Sequence, residues 1–67
     1  MKNTLKVERA KKDLTQESLA ELIGVSRQTI NSIEKGKYVP STVLALKLAQ
    51  VFGCSVEEIF ELEDMDR

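Results

Sequence analysis

Arg27, Gln28, Asn31, Ser32 and Lys35 are the side chains best placed to do chemistry together. At about 100° per residue on a helix they share one arc of roughly 140°. Ile30 and Ile33 fall on the other side, with Thr29 beside them and Glu34 at the boundary. The polar arc holds no nucleophile–base pair. Its groups suit flat, multiply bonded partners. A guanidinium can donate two bonds to guanine, and the carboxamides of Gln28 and Asn31 can each pair twice with adenine. Ser32 adds a hydroxyl that can face any base edge. Lys35 and Lys37 suit phosphates at the far end of the arc, and the Tyr38 hydroxyl can reach a phosphate from the loop beyond.

A second short helix must hold that arc in place. In TQESLAELIGVSRQTINSIEKG, Thr15 can cap a helix carrying Leu19, Ala20, Leu22 and Ile23 at helical spacing. Gly24 stops it, and Ser26 caps the helix that bears the arc. Ala20 is small where the two helices cross, Val25 fills the space under the turn, and Ile30 packs back towards Ala20. Thr15, Gln16 and the free N–H groups of the first turn can hold a phosphate. Two capped amphipathic helices are common. The joint spacing of small residue, glycine and apolar residue beside a polar stripe makes this pair a helix–turn–helix, residues 16–35. In that motif the second helix enters the major groove.

The flanking elements read as support. Leu5 to Lys12 is a basic helix with Asn3 or Thr4 as cap, Leu5 as core anchor and Val7 and Ala10 beside it. Asp13 stands where the chain turns left-handed, and Leu14 packs in front of the Thr15 cap. Pro40 keeps Val39 extended, and Ser41 caps a helix through Phe52 with a Leu44, Leu48, Phe52 stripe. Ser55 and Glu58 fit a capping box for a last short helix. Phe60 to Glu63 alternates apolar and acidic, as a short strand beside residues 1–4 would.

At 67 residues the chain is one domain, expected to bury roughly 60% of its unfolded surface. Net charge is −1, but Met1–Lys37 carries eight Lys/Arg against five Asp/Glu and Tyr38–Arg67 two against six. The first part is then +3 and the second −4. This places a binding face in the first part and keeps the acidic part away from phosphates. One cysteine, Cys54, permits no internal disulfide and fits a reducing, cytoplasmic setting. No apolar run approaches the ~18 residues of a membrane span. Zero His and one Cys argue against a metal or other cofactor, and no Ser/His or Cys/His pairing suggests an enzyme.

TQESLAELIGVSRQTINSIEKGKYVPS resembles the phage-repressor and Cro-type (XRE) helix–turn–helix family, in its compact single-domain form. The likeness runs from Leu5 to about Phe60. It implies an all-α, five-helix, lambda-repressor-like fold, to which the terminal strands would be an addition. It implies base contacts from Arg27, Gln28 and Asn31, a phosphate contact from Gln16, and a backbone clamp from Lys35 to Ser41. It further implies a salt bridge between Arg9 and Glu34 that ties the first helix to the reading helix. Glu8 and Asp13 depart from the family pattern, where an apolar residue and a glycine are frequent. The function implied is a sequence-specific double-stranded DNA-binding regulator, a repressor acting as a homodimer on a near-palindromic operator. Val56, Ile59, Phe60 and Leu62, within the C-terminal segment 55–67, are the candidates for the dimer surface. The alternative from another class is a protein-interaction module of antitoxin or antagonist type, using the same fold without specific DNA readout.

Overall fold

The computed structural model describes every residue from Met1 to Arg67. Five helices follow one another: α1 (Leu5–Lys11), α2 (Gln16–Ile23), α3 (Arg27–Glu34), α4 (Thr42–Phe52) and α5 (Val56–Ile59). Two short strands, β1 (Lys2–Asn3) and β2 (Phe60–Glu61), pair antiparallel with Lys2 opposite Glu61 and Asn3 opposite Phe60. The terminal pairing joins the two ends of the chain and closes the five-helix array.

Side-chain oxygens start three of the helices. Thr15 accepts from the Ser18 N–H at 3.0 Å, Ser26 from the Thr29 N–H at 3.1 Å and Ser41 from the Leu44 N–H at 3.2 Å. Each satisfies a donor that the first helical turn leaves unpaired. At α5 the Ser55 N–H donates to Glu58 Oε1 at 3.3 Å. Gly24 closes α2 at φ 76°, a conformation disfavoured for residues with a Cβ, and its N–H bonds Ala20 O. Asp13 is the sole non-glycine residue at positive φ, 54°. Asp is among the few residue types that tolerate that region.

Thirteen buried apolar residues form one core. α4 supplies five of them, Leu44, Ala45, Leu48, Ala49 and Phe52, and lies under α2 and α5. Leu19, Ala20 and Ile23 meet Ile30 and Ile33 across the α2–α3 crossing. Val25 is half-buried against the core, and its N–H bonds Ala20 O at 3.0 Å.

Three expected core residues face solvent instead: Val7, Ala10 and Leu22. α1 is only seven residues long and buries Leu5 alone. At about 100° per residue, Val7 and Ala10 lie some 140–160° from Leu5, whereas Arg9 lies about 40° from it. The inward edge of α1 is therefore Leu5 and Arg9. Leu22 lies about 100° off the centre of the arc formed by Leu19, Ala20 and Ile23. Ile59 and Phe60 go the other way. Both are buried within this chain, so their apolar surface is not available to a second copy, unlike that of Leu62 and, in part, Val56.

Candidate nucleic-acid interface

The Ser26 cap and the buried pair Ile30 and Ile33 set the rotation of α3 about its axis. With that face fixed inward, Arg27 and Gln28 are exposed, and Asn31 and Ser32 are partly exposed on the same outer surface. Tyr38 is exposed on the loop after α3 and borders this surface. Ser26, Gln28, Thr29, Ser32 and Tyr38 line one open cleft of about 300 Å³. Arg27, Lys35 and Lys37 are all exposed, and none forms an ion pair with a carboxylate. Their charge is thus left for an external anion.

A polar cluster ties α3 to α1 and α2 and so sets its tilt. Arg9 Nε donates to Glu34 Oε2 at 2.8 Å, and a second guanidinium nitrogen reaches Oε1 at 3.3 Å. The same side chain donates to Leu14 O at 2.9 Å, so it also fixes the turn into α2. The side chains of Arg9 and Glu34 are only 16% and 6% exposed. At that burial an ion pair defines geometry more surely than it adds net stability. Gln16 joins the cluster, its Nε2 lying 3.1 Å from Glu34 Oε1 and 3.5 Å from Asn31 Oδ1.

Thr15 and Ser41 cap α2 and α4, and Gln16 is the first residue of α2, where the N–H groups not taken up by the caps are open to an outside acceptor. Lys35 and Lys37 stand at the C-terminal end of α3. The acidic residues of the C-terminal segment lie elsewhere. Glu57, Glu58 and Glu61 gather around a separate cleft of about 260 Å³ with Lys2 and Thr4.

Three features of the support were not readable in the sequence. Asn3 Nδ2 donates to Ile33 O at 2.8 Å, tying β1 to the last turn of α3, while its Oδ1 accepts the Leu5 N–H. The Met1 ammonium pairs with Glu63 at 3.0 Å and Asp66 at 3.1 Å. Gln16 bonds to α3 itself. Apart from the Asn3–Leu5 bond, which is the expected cap, each joins positions far apart in the chain, and no local pattern marks them.

The helix–turn–helix family model matches residues 5–59, from the start of α1 to the end of α5. The chain belongs to that family, the XRE or Cro/C1 type of transcriptional regulator. It is 61% identical over 64 residues to an HTH-type transcriptional regulator of Methanocaldococcus jannaschii, covering 96% of this chain and 97% of that one. To the Bacillus subtilis HTH-type regulator YgzD it is 50% identical, with the same coverage. Among solved structures it resembles the restriction-modification controller protein C.AhdI of Aeromonas hydrophila. The TM-score there is 0.75 at 38% identity, over 84% of this chain and 85% of that one. It also resembles the P22 c2 repressor bound to a synthetic operator, with a TM-score of 0.76 at 26% identity, over 79% of this chain and 80% of that one. The family is a non-enzymatic one of DNA-binding regulators. No helix is long and apolar enough to cross a membrane.

Proposed function

We propose that the protein is a sequence-specific regulator that lays α3 in the DNA major groove and represses by occluding a promoter. The observation that carries this reading is the outer face of α3. Its base-reading side chains lie beside cations that no carboxylate neutralises, on a helix whose rotation and tilt are both fixed. Arg27, Gln28, Asn31 and Ser32 would face base edges. Thr15, Lys35, Lys37, Tyr38 and Ser41, with the backbone N–H of Gln16 at the start of α2, would face phosphates on either side.

One such motif reads only a few base pairs, so the unit of recognition is a homodimer on two half-sites about 34 Å apart, one helical turn. Its surface would lie in the C-terminal segment 55–67, through Leu62 and the exposed part of Val56. The acidic cluster there is then held off the phosphates. A monomer in sedimentation at high micromolar concentration, with and without operator, would remove the dimer from the proposal.

Selection of bound sites from random duplex DNA tests the whole reading. The expected product is a near-palindrome whose preference over random duplex persists as salt rises, while total affinity falls with the number of phosphates neutralised. Binding without sequence preference would instead favour the protein-interaction module.

A further inference from the structure

Glu34 is the fixed point of a polar chain that runs to the reading face. Its carboxylate accepts from Arg9 twice and from Gln16 Nε2 at 3.1 Å. A carboxylate held by a guanidinium only accepts. Gln16 must therefore present its NH2 group on that side, not its carbonyl. The same NH2 lies 3.5 Å from Asn31 Oδ1. A bond of that length is weak. It favours one sense, because turning the Asn31 amide over would forfeit it and set one NH2 opposite another. Asn31 thus has its oxygen towards Gln16, and Nδ2 is the atom left for an outside partner.

We infer that Gln16 is a specificity-determining residue that makes Asn31 a hydrogen-bond donor towards the groove; the inference rests on the proposed seating of α3. A bidentate pair with adenine needs Asn31 to accept from N6 as well as donate to N7. With Oδ1 turned to Gln16, that pair is disfavoured. Asn31 instead suits edges that present acceptors, guanine N7 and O6 or thymine O4. The polarity of the Arg9–Glu34 pair is in this way relayed through one side-chain amide to a base preference. Arg9 and Glu34 themselves touch no base in this arrangement.

The test uses the full chain and duplexes selected from a random library. The base pair read by Asn31 is the one whose discrimination is lost in Asn31→Ala. Wild type should prefer guanine or thymine to adenine there. Gln16→Met keeps the length of the side chain and removes its amide. It should raise the affinity for adenine relative to the other bases by about two- to tenfold, the worth of one hydrogen bond. Adenine favoured by wild type, or a base preference unchanged by Gln16→Met, would overturn the inference. Uniform weakening on all four base pairs is the second of those outcomes, since it leaves the base preference unchanged. In the free protein, a strong nuclear Overhauser contact between the NH2 groups of Gln16 and Asn31 would overturn the polarity directly, without DNA. Failure to select any duplex would overturn the seating of α3 and the readout with it, while the amide contacts would still decide the polarity of the chain.

Discussion

Arg9 and Glu34 lie 25 positions apart and meet at 2.8 Å, one on the inward edge of α1 and the other at the last turn of α3. Neither belongs to the exposed face of α3, yet together they set its tilt. Arg9→Ala leaves the Glu34 carboxylate buried with only Gln16 to bond it. The expected cost is about 2–3 kcal/mol, below the full penalty of a completely buried broken pair. Urea denaturation should show that loss, and affinity for a selected duplex should fall although no DNA contact has been removed. Wild-type affinity in Arg9→Ala would separate the ion pair from recognition.

Two substitutions on the proposed interface should behave differently. Lys37→Ala should weaken binding to all duplexes alike and lower the salt slope by about 1. Gln28→Ala should cost about 1–3 kcal/mol on the selected site and relax one base pair while leaving the salt slope alone. Competition titrations at two salt concentrations distinguish these patterns.

Removing the cap of α3 should loosen the reading helix without removing any of its four proposed base-facing side chains. Ser26→Ala should cost about 1 kcal/mol and Ser26→Gly a few tenths. Thermal melts of both variants check the ordering, which depends on the Ser26 oxygen bonding the Thr29 N–H.

A core position on α4 and a surface position on α2 should differ sharply in tolerance. Leu48 is fully buried, and Leu48→Ala should cost about 2–5 kcal/mol. A domain of this size has only about 3–10 kcal/mol in total, so that variant should lose a large share of its stability. Leu22 is 62% exposed, and Leu22→Ala should stay within about 0.5 kcal/mol of wild type. Circular dichroism with denaturant resolves both.

The terminal clasp gives a pH window. Hydrogen bonds from the Met1 ammonium to Glu63 and Asp66 raise the ammonium above its ordinary value of 8.0. A bond from the Glu63 N–H, then one from that ammonium, lowers Asp66 below its ordinary 3.8. The ammonium's contribution is complete below pH 8.0 and is lost as pH rises through its raised folded value. That of Asp66 is present above pH 3.8 and is lost as pH falls through its lowered folded value. The Tm difference between wild type and Asp66→Asn should be largest between those limits and shrink beyond both. A difference independent of pH would rule out the clasp as its source.

Local order was legible because its causes are local. Thr15, Ser26 and Ser41 announce helix starts through their own oxygens, Gly24 announces a stop through its missing Cβ, and the spacing of Ile30 and Ile33 fixes which side of α3 faces out. The polar stripe of Arg27, Gln28, Asn31 and Ser32 follows from that spacing alone. Even the left-handed turn at Asp13 was readable from residue type and position.

The tertiary structure decided which surfaces remain free and which polar groups answer one another. Periodicity lists apolar residues but cannot say how wide a stripe a neighbour will cover. Val7, Ala10 and Leu22 therefore lie in solvent, while Ile59 and Phe60 are taken into the core. The polarity of the Gln16 amide depends on Glu34, which depends on Arg9, across separations of 18 and 25 positions. Hydrogen bonds between distant side chains depend on where helices cross, and crossing is settled only when the core packs.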